Sequence, residues 1–344
     1  MLTVSVVIPV KNAVRTLSAC LRALDRLVPA PAEIILVDNG STDESSAILK
    51  AFVLACKTTR VRLIDESTPG AAAARNAGIR VASSEIVAFT DADCAPQANW
   101  LSVLLEPFAD VHTGAVAGSL VGVFDRSLCE LFSSLYTLQS SREADTFTSW
   151  TPWSGGFPTA NLAVRRSLLE TLKGFDEDVT IYGEDYDLCA RLYRQQVSIV
   201  YRPDARVTHH HRTTVGDIVR QAFGFGRGQA YLVRRHRPAG LWLELPRLMV
   251  RWPNLPLHGW VDSASPDKKL FGLILLGLLY QPLWSLLPCF LFWMTYETRT
   301  RARAVGSVLS PTAALSLVWM LLLKAGAMTA GRWWGSFRYG TLCL

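Results

Sequence analysis

Four groups of side chains in this 344-residue chain combine residue types that can hold a cation, bind a phosphate ester or move a proton. Carboxylates bind hard divalent cations and can remove protons, and neutral imidazole is a common metal ligand. The groups are Asp38, the pair Asp91 and Asp93, the pair Glu184 and Asp185, and the histidines 209–211. Because they are far apart along the chain, only a folded domain can bring them together.

The pair Asp91 and Asp93 follows the apolar run 86–90, which has the pattern of a buried strand. A strand that ends there presents two carboxylates, one residue apart, beyond its carboxyl end. Mg²⁺ takes one or two carboxylates together with substrate phosphates, and Mn²⁺ accepts the same oxygens and also imidazole. A solvated turn or a helix cap would give the same tripeptide, but its position after a strand favours a metal site.

Glu184 and Asp185 open a helical pattern over 184–195. Acidic residues are common in the first turn of a helix because of the helix dipole, and a carboxylate there can also act as a general base. The residues themselves do not rank the two. In the histidine run, alternation along an extended chain puts His209 and His211 on one side and His210 on the other.

Two further segments suit the binding of a nucleotide. Asp38 ends the apolar run 33–37 ahead of an Asn-Gly turn, where its carboxylate can accept hydrogen bonds from a base or a ribose. The helical pattern at 71–82 carries Arg75, and its free N–H groups and guanidinium suit a pyrophosphate. The structural alternatives are a turn with a helix cap and an alanine-rich helix packed on a sheet, of which the second leaves Arg75 unexplained. No GxGxxG motif follows the first strand, which disfavours a dehydrogenase.

Short apolar runs alternate with helical patterns through the first 90 residues, which predicts βαβ units and a parallel sheet. Ligands of such sheets bind beyond the carboxyl ends of the strands. We expect strands at 4–9, 33–37, 61–64 and 86–90 and helices at 13–27, 42–56 and 71–82. Further along, we expect strands at 114–123, 197–201 and 206–208 and helices at 128–142, 184–195 and 213–237.

Charge and hydropathy change after residue 211. Residues 1–211 hold 19 basic and 24 acidic side chains and residues 212–344 hold 16 and 5, which together give the net charge of +6. The basic part also holds eight of the eleven tryptophans and two uncharged runs, 270–296 and 305–323. These features predict association with a membrane surface that contains anionic lipid, and they disfavour nucleic acid as a partner.

The two uncharged runs suggest a division into three parts: a catalytic domain at 1–211, a basic helical or linker region at 212–265, and membrane-associated helices at 266–344. Pro282 and Pro288 interrupt the first run. We expect this run to be broken, re-entrant or interfacial, because two simple spans would place the arginine-rich loop at 299–303 on the side opposite the catalytic domain.

Five motifs together resemble those of the inverting glycosyltransferases of family 2, which have the GT-A nucleotide-sugar-binding fold. In chain order they are Val6–Asn12, Val37–Asp43, Ala74–Gly78, Asp91-Ala92-Asp93 and Gly183-Glu184-Asp185. The resemblance covers about residues 3–235 of the chain. It implies an α/β fold in which a mostly parallel sheet is flanked by helices. The residues beyond the resemblance are expected to form a C-terminal apolar helical region that associates with a membrane.

The resemblance also implies roles for individual residues. Those expected to bind the nucleotide-sugar are Pro9, Val10, Asn12, Asp38, Arg75, Asp91 and Gly156. Those expected to bind a divalent metal, Mn²⁺ or Mg²⁺, are Asp93, Asp91 and His209, with His211 in reserve. Asp185 is expected to be the base and Glu184 to position the acceptor, while Gly155, Phe157 and Asn161 are expected to line the sugar pocket.

The implied reaction moves one sugar from a nucleotide-sugar to a hydroxyl of a lipid-linked or hydrophobic acceptor in cell-envelope or glycolipid synthesis. The catalytic domain would lie at the cytoplasmic face of the cell membrane. The QxxRW motif of processive members is absent, since residues 221–225 read QAFGF, which favours transfer of a single sugar. A non-catalytic membrane-bound nucleotide-sugar-binding module and a nucleotidyltransferase are the alternative functions.

Overall fold

The structure is a computed structural model that describes residues 2–124, 127–137, 143–151, 154–179, 182–237, 240–245, 248–255 and 259–344. Its strands are β1 Val4–Val10, β2 Glu33–Asp38, β3 Arg60–Asp65, β4 Ile86–Phe89, β5 Cys94–Pro96, β6 Ala115–Val123, β7 Asp145–Phe147, β8 Leu162–Arg165, β9 Ile199–His210, β10 Leu241–Leu245, β11 Leu248–Trp252, β12 Gly259–Asp262 and β13 Leu342–Cys343. Its helices are α1 Leu17–Asp25, α2 Ser45–Ala55, α3 Ala71–Val81, α4 Trp100–Leu105, α5 Leu128–Tyr136, α6 Arg166–Thr171, α7 Glu184–Arg194, α8 Val215–His236, α9 Pro266–Leu279, α10 Leu286–Ala304 and α11 Pro311–Tyr339.

The chain divides into two compact units. The first consists of Met1–Val123, Leu138–Thr180 and Glu184–His210, and the second of Phe124–Thr137, Ile181–Gly183 and His211–Leu344. Helix α5, Ile181–Gly183 and His211 belong to the second unit although they lie in the expected domain 1–211, and 212–265 is not separated from the residues that follow it.

In the described part of the first unit, nine strands form one sheet in the order β3-β2-β1-β4-β8-β6-β9-β5, and β7 pairs with β9. Strands β1 to β4 run parallel, whereas β8 runs antiparallel to β4 and β6. The register aligns Val10 with Asp38 and Asp38 with Asp65. Three strand ends therefore lie side by side at one edge of the sheet, as the sequence predicts.

Both faces of this sheet are covered, which explains the continuous apolar runs of its parallel strands. Alternate side chains of β1 enter opposite cores, with Val6 and Ile8 in one and Val7 in the other. Helix α3 approaches β1 closely, because a Cβ at Gly78 would lie 2.3 Å from a methyl carbon of Val7. The small side chains of α3 therefore bring the helix, and Arg75 within it, against the sheet.

Most expected elements are present within a few residues of their predicted bounds, but two predictions need correction, and several elements, among them β5, β7, β8, α4 and α6, were not predicted. The two short strands expected at 197–201 and 206–208 are one strand, β9, whose register with β6 shifts at Gly118/Ser119. The helix expected at 128–142 ends at Tyr136, and 138–142 lies outside the described residues. Strand β5 follows Asp93 directly and was not expected.

The second unit holds the basic helix α8, a four-stranded sheet in the order β11-β10-β12-β13, and the apolar helices α9 to α11. The apolar run 270–296 is broken by a 3-10 turn at Gln281–Ser285, which contains Pro282. Pro288 lies in the first turn of α10, where the missing N–H is tolerated. Among the described residues, one helix, α11, is long and apolar enough to cross a membrane, and 33% of its most apolar window is buried.

Candidate active site

Arg75 joins two acidic segments that are distant along the chain. Its guanidinium donates one hydrogen bond to Asp91 Oδ1 and one to Glu184 Oε1, each of 2.8 Å. The Arg75 side chain is 5% exposed, whereas those of Asp91 and Glu184 are 28% and 15% exposed. Although burial alone would lower the pKa of Arg75, the carboxylates of Asp91 and Glu184 raise it. The fold thus holds the end of β4 beside the first turn of α7 through a buried cation.

Asn76, the next residue of α3, fixes the segment that leads to α7. Its side-chain amide donates to the carbonyl of Phe175 and to Glu177 Oε1, and its oxygen accepts from the backbone N–H of Phe175. A Cβ at Gly174 would lie 2.2 Å from the same oxygen, so glycine is needed there, where φ is also +69°. Sequence reasoning did not single out Asn76, although it lies beside Arg75 in the third motif.

Asp185 lies next to the Arg75 bridge at the start of α7. Burial first, and then the negative charge of Glu184, raise the pKa of Asp185 from 3.8 to about 7, and Arg75 opposes this effect. Its Oδ1 accepts a hydrogen bond of 2.8 Å from the backbone N–H of Tyr186. A carboxylate with a raised pKa at the edge of a site is suited to general-base chemistry near neutral pH.

The glycine loop before β8 packs on the tyrosines of α7. A Cβ at Gly156 would lie 2.7–2.9 Å from ring carbons of Tyr186, and Tyr193 donates a 2.8 Å hydrogen bond to the carbonyl of Gly155. Burial raises the pKa of Tyr186, which keeps its phenol protonated. Gly156 therefore packs against the ring of Tyr186, the residue that follows Asp185, and only a glycine leaves room for that ring.

Asp93 and His209 meet because β5 pairs antiparallel with β9. Cys94 is the cross-strand partner of His209, and the backbone N–H of His210 donates a 2.8 Å hydrogen bond to the carbonyl of Asp93. His209 Nε2 lies 3.6 Å from Asp93 Oδ1. The ligand atoms of Asp93, Cys94 and His209 all lie within 4.8 Å of one another.

The donor set at this point fits a divalent cation. Burial first, and then the carboxylate of Asp93, raise the pKa of Cys94 well above its usual value, which keeps the thiol protonated in the metal-free protein. One carboxylate oxygen and one imidazole nitrogen remain, a pair that Mn²⁺ accepts. Asp91 Oδ1 accepts from Arg75, and metal binding by Asp91 or by His211 stays a prediction.

The ends of β1 and β2 form a hydrogen-bonded corner. Asp38 is 5% exposed, and its Oδ1 accepts from the backbone N–H of Ser41 at 2.9 Å. Asn12, at φ +50°, accepts from the N–H of Thr42 at 2.8 Å. The side chain of Val10 lies in the core and its carbonyl accepts from Asn39, while Pro9 is half-buried at the end of the strand. Nucleotide contacts by these residues stay a prediction.

Asn161 corrects one expectation. It was expected to line the sugar pocket, but it is 0% exposed. Its oxygen accepts from the indole of Trp100, and its amide donates to the carbonyls of Ser119 and Ala205. All of its hydrogen-bonding groups are used inside the fold, so Asn161 connects α4 with β6 and β9 and has a structural role.

Comparison with known proteins agrees with these motifs. Residues 5–173 match the family model described as glycosyl transferase family 2, and residues 134–328 match the one described as glycosyl transferase family group 2. The chain is 35% identical over 240 residues to a pre-mycofactocin glycosyltransferase of Mycobacterium tuberculosis, which covers 68% of this chain and 48% of that protein. It is 28% identical over 230 residues to the glycosyltransferase AglE of Haloferax volcanii, which covers 66% and 72%.

The mannosyltransferase PcManGT from Pyrobaculum calidifontis, solved in complex with GDP-Man and Mn²⁺, has a similar fold. The TM-score is 0.57 at 22% sequence identity, over 97% of this chain and 87% of that one. The chain thus has the GT-A type of α/β fold that the motifs imply. It spans about half the length of the mycobacterial relative that it matches.

Proposed function

Because the chain belongs to glycosyl transferase family 2, we propose that it moves one sugar from a nucleotide-sugar to a hydroxyl of a lipid-linked or hydrophobic acceptor. The observation that carries this proposal is the Arg75 bridge, which holds the Asp91 strand end beside the helix that starts at Glu184 and Asp185. Two curated relatives are named glycosyltransferases, and the similar structure of PcManGT holds GDP-Man and Mn²⁺, which supports a nucleotide-sugar donor and a divalent metal.

In the proposed reaction, Asp185 removes the proton from the acceptor hydroxyl as the hydroxyl oxygen attacks the anomeric carbon. The bond to the nucleoside diphosphate breaks on the opposite face, so one displacement inverts the anomeric centre. The raised pKa of Asp185 supports this role, because a base with a pKa near the working pH accepts a proton more readily than an ordinary aspartate.

Arg75 serves this site as a positioning residue. Its two 2.8 Å hydrogen bonds engage Asp91 and Glu184, and its cation limits how far the negative charges around Asp185 raise that pKa. Glu184 in turn would orient the acceptor hydroxyl toward Asp185. At the ends of β1 and β2, Asp38 and Asn12 form the proposed edge of the nucleotide site, with Pro9, Val10 and Gly156 around it.

Asp93 and His209 are the residues that would hold the metal, with Asp91 close to it in sequence. A bound divalent cation would supply positive charge to the diphosphate as it leaves. His209 is preferred to His211, since its Nε2 lies 3.6 Å from an Asp93 oxygen.

The second unit supports the proposal of an acceptor that comes from a membrane. Large apolar side chains are exposed on its helices, among them Phe271, Leu279 and Phe292 at 61%, 84% and 74%. Helix α11 adds a segment of spanning length. We place the reaction at the cytoplasmic face of the membrane, in cell-envelope or glycolipid synthesis, with the run 270–296 lying in or re-entering the membrane.

The test is a screen of nucleotide-sugars for Mn²⁺- or Mg²⁺-dependent release of the nucleotide, followed by the same assay with Asp185→Asn. We expect a nucleoside diphosphate as product, and retained donor binding without turnover in the variant. Release of pyrophosphate would indicate a nucleotidyltransferase, and a wild-type protein that binds donors without turning them over would be a binding module.

A further inference from the structure

A cavity of about 210 Å³ lies within the second unit, and none of the residues assigned a part in sugar transfer is among those that line it. Residues of α5, α9, α10 and α11 line it. Its volume is below the roughly 300–1,000 Å³ of pockets that hold a whole drug-sized ligand. The cavity therefore fits a small headgroup and the first carbons attached to it.

One part of the cavity lining carries charged side chains, most of them basic. Arg301 and Lys269 contribute two cations, and Glu297 contributes one anion. Arg301 donates to Glu297 at 2.6 Å across one helical turn, with side-chain exposures of 42% and 35%. Such exposed pairs are weak, so a stronger anion can compete for the guanidinium. Lys269 makes no ion pair with any residue that the structure describes, which leaves the lining with a net positive charge.

The polar part of the cavity is held in place by a second set of contacts. The hydroxyls of Tyr136 and Thr298 lie 2.7 Å apart, which ties α5 to α10. The Arg301 guanidinium lies 5.5 Å from the centre of the Tyr136 ring. Thr298 is 1% exposed, so this pair of hydroxyls is a fixed feature of the cavity wall.

The remaining lining is apolar and comes from Phe290, Trp293, Met294 and Leu321. The rings of Phe290 and Trp293 lie 6.0 Å apart, and Trp293 is 50% exposed. Cations and apolar side chains in one small cavity complement a molecule with an anionic head and a hydrocarbon chain. A free anion would gain nothing from the apolar wall, and a neutral lipid would gain nothing from the cations.

We propose that this cavity binds the phosphate headgroup of a membrane lipid, with Lys269 and Arg301 on the phosphate and Phe290, Trp293 and Met294 on the first carbons of the chain. This site is separate from the proposed transfer of a sugar, and it does not depend on which molecule accepts the sugar. Its test measures lipid binding alone, so failure here leaves the transfer proposal untouched.

The experiment titrates the detergent-solubilised full chain with dioleoyl phosphatidic acid and, separately, with dioleoylglycerol, and counts bound lipid by native mass spectrometry. We expect one phosphatidic acid per chain, bound at least about tenfold more tightly than dioleoylglycerol. The double variant Lys269→Gln/Arg301→Gln should lose about tenfold or more of the affinity for phosphatidic acid and none of that for dioleoylglycerol. Arg303→Gln, an exposed arginine on the same helix that does not line the cavity, is the matched control and should bind as wild type.

Trp293→Ala supplies a second test that changes no charge, and it should weaken the binding of both lipids. Thermal unfolding of each variant checks that the fold is retained. Equal binding of the two lipids, or wild-type binding of phosphatidic acid by the double variant, would overturn the proposal. Displacement of bound phosphatidic acid by millimolar inorganic phosphate would also overturn it, because the site would then bind a free anion.

Discussion

Replacement of Asp185 by asparagine should remove activity and at the same time stabilise the protein above neutral pH. The pKa of this carboxyl is raised from 3.8 to about 7, by burial and then by Glu184, so the folded protein binds its proton more tightly than the unfolded chain does. Ionisation of Asp185 therefore costs folding free energy. The cost is complete above about pH 7 and disappears as the pH falls towards 3.8.

The raised pKa lowers the free energy of unfolding by at most about 4 kcal/mol at pH 8 and by about 2 kcal/mol at pH 5. Asparagine cannot ionise, and its oxygen can still accept the hydrogen bond from the N–H of Tyr186. We therefore expect Asp185→Asn to raise the Tm by several degrees at pH 8 and by much less at pH 5. Loss of a general base should lower kcat by about 10²–10⁴.

Asp187→Asn is the matched control, because it makes the same chemical change two residues further along α7. Asp187 is fully buried and pairs with Arg191 Nε at 2.7 Å. Breaking that pair leaves a buried cation and should lower stability by about 3–5 kcal/mol. The assays are thermal unfolding at the two pH values and nucleotide release from the donor. A lower Tm for Asp185→Asn at pH 8, or undiminished turnover, would refute the reasoning.

Three further substitutions test other parts of the site. Arg75→Met should destabilise the fold by about 3–5 kcal/mol, because it leaves two carboxylates without their buried cation, and Arg75→Lys should recover part of that in thermal unfolding. Asp93→Asn and His209→Ala should each raise the Mn²⁺ concentration needed for half-maximal nucleotide release, and an unchanged metal dependence would exclude them as ligands. Gly156→Ala should cost about 1–3 kcal/mol of stability by driving a methyl group into the neighbouring tyrosine ring, whereas Gly216→Ala, with open space around it, should leave the Tm unchanged or raise it.

The sequence predicted the parallel part of the sheet well, because each of those strands is a short apolar run bounded by turn residues. It did not predict β5, whose three residues include a proline and which exists only through its pairing with β9. That pairing brings Cys94 beside His209. The resemblance could therefore suggest His209 as a metal ligand, but the sequence could not predict that His209 lies next to Asp93.

The partners of Arg75 could not be predicted from the sequence. The spacing identified it as a cation at a helix start and suggested a diphosphate as its partner. Its hydrogen-bonded partners in the structure are Asp91 and Glu184, which lie 16 and 109 residues away. Contacts of that separation depend on the complete fold. The same is true of Asn161, whose partners Trp100, Ser119 and Ala205 take it out of the site.

The proposed transfer of the sugar is a single base-assisted displacement in which Asp185 is the base. The most direct test is the configuration of the anomeric carbon in the product that the wild-type protein forms from a defined nucleotide-sugar, observed by proton NMR and, where water is the acceptor, before the free sugar mutarotates. A single displacement gives a product with the anomeric configuration opposite to that of the donor. A product that retains the donor's configuration would contradict it.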